Sequence, residues 1–278
     1  MSEDKTSVDN TVRDKDNFAI KVKDLTRSFD GRKVLDGVSL DIRTGETMVI
    51  MGTSGCGKST LLRHMIGALT PDEGNVHLCG KDITQMNECQ MNEIRKRFGM
   101  LYQSGALFNS MNVGENVAFP LRQHTDLDEE IIRIIVKIKL ELVGLTGFEK
   151  LMPSQISGGM KKRVGLARAI SMDPEIVFYD EPGAGLDPIT AAVIDLLIMD
   201  LTKKLGITSI VVTHEMASIF RIADRIAMLH EGKVVETGTP ESIKNSTNPI
   251  VQQFITGSAE GPIPMRRTSE DFLEGLSN

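Results

Sequence analysis

No stretch of this 278-residue chain is apolar for long enough to cross a bilayer. The most hydrophobic segment, from Ile131 to Leu140, is interrupted by Arg133, Lys137 and Lys139 and falls short of the ~20 residues that a spanning helix needs. Its Arg133, Lys137 and Glu141 recur at helical spacing, which predicts a helix with that row facing water, although its many β-branched residues also suit a strand. Basic charge is also missing: 32 Lys and Arg against 38 Asp and Glu give a net charge of −6, and no global excess draws the chain to nucleic acid. Cysteine is scarce. Cys56, Cys79 and Cys89 are three in number and without metal-ligand spacing, which argues against a disulfide framework and for a reducing cytosol. The first seventeen residues carry three basic and five acidic side chains and no apolar core, so they read as a disordered terminus rather than a signal peptide. No internal repeat is present.

What is present is concentrated in a few short runs. Gly52-Thr53-Ser54-Gly55-Cys56-Gly57-Lys58-Ser59-Thr60 fits G-x-x-x-x-G-K-[ST], the loop that cradles phosphates. It follows a buried-strand pattern, Thr47 to Met51, and precedes Leu61, Leu62, Met65, Ile66 and Leu69 at helical spacing. A strand, a glycine turn and a helix start bring backbone N–H groups and the helix dipole onto one anion. Lys58 is then expected at the terminal phosphates, and the Ser59 hydroxyl on Mg²⁺. About 120 residues on, the apolar run Ile176 to Tyr179 ends in Asp180-Glu181. Asp180 is placed to hold Mg²⁺ opposite Ser59, and Glu181 to polarise the attacking water.

A third run, Ile156-Ser157-Gly158-Gly159-Met160, lies 23 residues before Asp180, counted from Ser157. Two glycines behind a capping serine make a second anion-binding helix start. This run and its spacing resemble the signature motif of ABC transporter ATPases, and the resemblance extends over roughly residues 18–256. It implies an α/β fold: a RecA-like P-loop core with a parallel sheet, an antiparallel β subdomain, and a helical subdomain over about 90–165. The antiparallel part is expected from 18–46 and 74–84, and the parallel strands near 176–180, 207–213 and 225–229. Gly99, Gly105 and the Phe119-Pro120 step are expected to punctuate the helical insertion.

The resemblance also assigns roles in chain order. Phe29 stands where the family has its adenine-stacking aromatic, more often Tyr. Gln103 matches the glutamine that touches Mg²⁺ and reports to a membrane partner, with 106–119 as the contact surface. Asp187, in Gly185-Leu186-Asp187, matches the loop that communicates across a dimer, and His214 the switch histidine beside the γ-phosphate. The cofactors implied are ATP and Mg²⁺. The partners implied are a second copy of the chain, whose signature caps the first copy's ATP, and an integral membrane permease, but no nucleic acid. The expected place is the cytoplasmic face of an inner membrane.

Met160, where most of the family has Gln, followed by Lys161-Lys162-Arg163-Val164, is most similar to the ATPase subunits of MCE-type (Mla) lipid transport systems. Those systems add a small accessory protein and an MCE-domain protein, and imply phospholipid as cargo. The alternatives are an amino-acid or ion importer and a soluble ABC ATPase with no permease. Past Gly257 about twenty residues remain, too few for a regulatory domain. There Thr268 to Asp271 reads as a cap for a short helix with Phe272, Leu273 and Leu276 on one face.

Overall fold

A computed structural model describes residues 18–263. The expected capped helix near 268–276 and the expected disorder of the first seventeen residues lie outside these. Two sheets organise the chain. The first is antiparallel, in the order β2-β1-β4-β5, built from β1 (Phe18–Phe29), β2 (Arg32–Arg43), β4 (Glu73–Leu78) and β5 (Lys81–Asp82). The second has six strands in the order β10-β9-β3-β8-β7-β6. Its members are β3 (Thr47–Met51), β6 (Phe98–Leu101), β7 (Ile176–Asp180), β8 (Thr208–Val212), β9 (Arg225–His230) and β10 (Lys233–Gly238). All pairs from β9 to β6 are parallel, and only β10 runs antiparallel.

Every residue of β3 and of β8 is buried, as expected of parallel strands covered on both faces. Their side chains alternate between two cores. Val49 and Met51 join the cluster beneath the helical layer, while Met48 and Ile50 join the one shared with the antiparallel sheet. The first face is covered by α3 (Val113–His124), α4 (Glu129–Leu142), α5 (Gly158–Ala169), α6 (Pro188–Leu205) and α7 (Met216–Ile222). The second takes α1 (Lys58–Met65) and α2 (Glu88–Arg95). Two short helices, α8 (Pro240–Lys244) and α9 (Pro249–Thr256), follow β10.

The helical layer departs from the sequence reading in two places. Phe98–Leu101 pairs with β7 as an edge strand of the core, so the chain leaves the sheet only after Leu101, not near residue 90. Pro120 sits inside α3 instead of breaking it, where Asn112 and Glu115 form a capping box that fixes the helix start. The Ile131–Leu140 run is helical, with Arg133, Lys137 and Glu141 exposed as expected. That helix also leaves Ile131, Ile134 and Ile138 exposed, at 44%, 58% and 50%. Lys139, by contrast, is buried and pairs with Asp173.

One buried polar cluster joins two helices that lead away from the sheet's carboxyl edge. Asp195 of α6 is buried; it accepts from the Ser218 hydroxyl at 2.8 Å and from the Arg221 guanidinium, both on α7. A buried carboxylate deprived of its cation is strongly destabilising. Arg221→Leu is therefore expected to lower the unfolding free energy at neutral pH by about 3 kcal/mol, read by urea denaturation, with Asp195→Asn in the same background restoring part of the loss.

Candidate functional site

Parallel strands place their carboxyl ends on one edge, and ligands of such sheets bind there. β3 delivers Gly52 to that edge, β6 Gln103, β7 Asp180 and Glu181, and β8 Thr213 and His214. Register does the aligning: Ile50 and Asp180 both pair with Val212, and Leu101 with Tyr179.

The glycine loop turns directly from β3 into α1. Gly57 caps that helix at φ 108°, and a Cβ there would stand 2.8 Å from the Val34 carbonyl oxygen. Only glycine meets both demands. The first turn of α1 contains no acidic residue, so its free N–H groups are available to an anion. Lys58 is buried, and its ammonium donates to the carbonyls of Gly52 at 2.8 Å and Thr53 at 2.9 Å. Ser54, Gly55 and Ser59 are exposed; Thr53 and Thr60 are half-buried, and Cys56 is buried with its thiol pKa pushed up by burial. Phe29 lines a cleft of about 850 Å³ together with Thr53, Ser54, Gly55 and Cys56. Its ring is 40% exposed and carries the Arg27 guanidinium 4.9 Å from its centroid. An aromatic face beside a phosphate loop can take a purine ring.

Asp180 is half-buried and shares a recess of about 500 Å³ with Gln103, Tyr102 and Ser104. Burial raises its pKa above the ordinary carboxylate value, and the neighbouring Glu181 charge raises it further; Arg63, Lys58 and Lys162 oppose both. No cluster of three or more His, Cys, Asp or Glu side chains occurs among the described residues. Asp180, with Gln103 beside it in the recess and the exposed Ser59 hydroxyl at the end of the glycine loop, could supply oxygen donors of the kind that suit Mg²⁺, an ion held by few protein ligands plus phosphate oxygens.

Glu181 adopts φ 48°, a left-handed conformation unusual for this residue. Its N–H donates to Val212 O at 2.8 Å. The carboxylate accepts from His214 Nδ1 at 2.8 Å and from the Thr213 hydroxyl at 3.2 Å, so strand β8 sets its direction. Thr213 was not singled out in the sequence; its place directly before His214 at a strand end was the available signal.

The signature residues gather elsewhere. Ser157 caps α5, accepting from Met160 N–H at 3.3 Å, and Ser157 and Gly158 are exposed. A Cβ on Gly159 would lie 2.5 Å from Thr190 Cγ2. Asp187 caps α6, accepting from the N–H groups of Ile189 and Thr190 and from the Thr190 hydroxyl. Ser157, Gly158 and Asp187 are therefore exposed at the adjoining starts of two helices, with Gly159 buried beneath them against Thr190.

The raised pKa of Asp180 fixes a sign. Its folded carboxyl holds a proton more tightly than the unfolded one, so ionisation costs stability as pH rises from the ordinary aspartate value through the folded value. Asp180→Asn is expected to raise the melting temperature at neutral pH, in EDTA and without nucleotide, and the gain should shrink as pH falls toward about 4. An equal or lower melting temperature for the variant at neutral pH would contradict this account.

Comparison with known proteins agrees with the geometry. The ABC transporter family pattern matches residues 35–184. An "Intermembrane phospholipid transport system ATP-binding protein MlaF" from Haemophilus influenzae is 44% identical over 92% of this chain and 97% of its own length. A "Probable ribonucleotide transport ATP-binding protein mkl" from Mycobacterium leprae is 45% identical over 91% of this chain but 73% of its own. Among solved structures, the dimeric ATP-binding cassette MJ0796 bound to ADP and Pi superposes with TM-score 0.74 at 30% identity, over 80% of this chain and 98% of that one. CbiO1 of Clostridium perfringens, part of the ABC transporter complex cbiONQ, does so with TM-score 0.78 at 28% identity, over 94% of this chain and all of its own. The glycine loop, the Ser-Gly-Gly run and the paired carboxylates all fall within the matched segment, and the fold is that of known cassettes: the chain belongs to the ABC transporter family and is one of its ATP-hydrolysing subunits.

Proposed function

We propose that this ATPase drives phospholipid transport between membranes as the ATP-binding subunit of an MCE-type system. One observation carries the reading: the end-to-end match with the MlaF proteins, of which the chain covers 97% and 96%. The mycobacterial relatives named for ribonucleotide transport are equally similar in sequence, but the chain spans only 70–73% of them. Met160 in the signature favours the same assignment.

In the catalytic cycle two copies close head to tail on two ATP molecules. Phe29 stacks on the adenine, while the N–H groups of Gly52 to Thr60 and the Lys58 ammonium hold the phosphates. Ser59, Asp180 and Gln103 would hold Mg²⁺, which neutralises charge on the terminal phosphates. Glu181, oriented by Thr213 and His214, polarises the attacking water, and His214 senses the γ-phosphate. Ser157, Gly158 and Gly159 of the second copy present their helix start to the same phosphate, and Asp187 carries the contact between the copies. The chemistry is positioning and electrostatics around an in-line water, and closure depends on γ-phosphate contacts.

None of the described helices is long and apolar enough to cross a membrane; the pore in this reading is a separate permease. Its docking groove is supported by a cleft of about 400 Å³ lined by Tyr102, Phe108, Phe119, Pro120 and Met172, next to the Gln103 loop. The subunit then sits peripherally on the cytoplasmic face of the inner membrane. An accessory protein and an MCE-domain protein complete the system.

Glu181→Gln is expected to reduce ATP turnover by a factor of about 10²–10⁴ while MgATP still binds and drives a stable dimer in sedimentation. Turnover near that of the parent would remove Glu181 from its role. Mass spectrometry of the detergent-extracted complex should find a permease and bound phospholipid; a nucleotide or metal-ion cargo in their place would overturn the lipid assignment.

A further inference from the structure

The signature helix carries a buried cation that the cycle above does not use. Lys162 of α5 is 4% exposed. Its ammonium donates to the main-chain carbonyl of Glu181 at 3.2 Å, and the Ala184 N–H donates to that same oxygen at 3.1 Å. Burial lowers the Lys162 pKa, while the charges of Glu181 and Asp180 hold it up. A buried ammonium is retained only where acceptors and opposite charge compensate it, and here all of these come from the Asp180–Ala184 segment. Glu181 in turn holds a left-handed backbone that its surroundings must enforce.

The position of Lys162 along α5 gives the contact its meaning. Ser157 caps this helix, and Ser157 and Gly158 face outward, while Lys162, further along it, reaches inward to the catalytic carboxylate's own backbone. α5 is a single uninterrupted helix of 12 residues, so a displacement at its capped end is carried to Lys162. Within a reciprocal dimer the capped end serves the nucleotide held mainly by the second copy, whereas Glu181 serves the nucleotide held by its own glycine loop.

We infer that Lys162 is a positioning residue that ties the signature helix to the backbone of Glu181, so that engagement of one nucleotide by the signature sets the water-polarising carboxylate at the other. The inference rests on the reciprocal dimer proposed above. Its chemistry is one charge-assisted hydrogen bond, stronger and more directional than a neutral one. It couples two sites through a rigid element rather than through the bound nucleotide.

Lys162→Met and Lys162→Arg, introduced into the full-length chain within its membrane complex, test this. The Met variant should keep its MgATP dissociation constant within about threefold and lose about tenfold in kcat, a split expected of an orienting rather than a binding group. Its ATP dependence of turnover should also become non-cooperative where that of the parent is cooperative. Lys162→Arg, which restores a cationic donor, should recover most of both properties. A second readout is independent of turnover. In Glu181→Gln dimers assembled with MgATP, amide exchange over residues 180–187 should be slower when Lys162 is retained than when Lys162→Met is added. If Lys162→Met does not fold, Lys162→Gln, too short to bridge the same distance, serves for every measurement. Unchanged kcat, cooperativity and exchange in the neutral variant, or a loss that Arg does not relieve, would overturn the inference while leaving the dimer intact. Failure of the Lys162 parent itself to dimerise on MgATP would instead overturn the reciprocal dimer, and this inference with it.

Discussion

The parallel pairing of β3, β8 and β7 is the constraint on which the remaining structure depends. Each strand ends at the same edge, and the register that pairs Ile50 and Asp180 with Val212 brings three loops to a common level. Those loops are the glycine turn, the acidic pair and the Thr213-His214 step. A slip of one residue in any pairing would exchange the two faces of that strand. It would drive Met48 and Ile50 into the wrong core and move the carboxylates away from Lys58. The fully buried faces of β3 and β8 forbid that slip, so the same apolar packing that stabilises the sheet also fixes the geometry of the candidate site.

Charge is then arranged around this edge with little help from solvent. Asp180 and Glu181 repel one another, and Arg63, Lys58 and Lys162 oppose that repulsion at Asp180 without cancelling it together with the cost of burial. These cations come from different places: Lys58 and Arg63 from α1, Lys162 from α5. The acidic pair thereby lies between the cations of α1 and of α5. A site of this kind is strained in Glu181's backbone and electrostatically unrelieved at Asp180. Such frustration, concentrated at functional positions, is common in folded proteins.

The helical layer has a different character. Its interior is apolar, with Val117, Leu121, Ile132 and Val136 in the same core cluster as one face of the sheet, yet α4 keeps three isoleucines in contact with water. The Gln103 loop connects this layer with the Asp180 recess, and the groove beside it opens between Tyr102 and Phe119.

Short-range chemistry was legible in the chain itself. Gly57, Lys58 and Ser59 must stand at a helix start because glycine alone allows the turn, and Ser157 caps a helix because its side chain accepts a free N–H group. The runs Thr47 to Met51 and Ile176 to Tyr179 marked covered strands. Edge elements were less legible: Phe98–Leu101 is too short to announce itself as part of the core sheet, and Pro120 is tolerated in a helix whose packing outweighs its local cost. Only tertiary structure decided that Thr213 and His214 would grip Glu181, that Gly159 would meet Thr190, and that Lys162 would reach a carbonyl nineteen positions away. The physical reason is range. Turn, cap and strand propensities act over a few residues and are written locally, whereas the direction of a buried side chain depends on elements far apart in sequence that packing brings together.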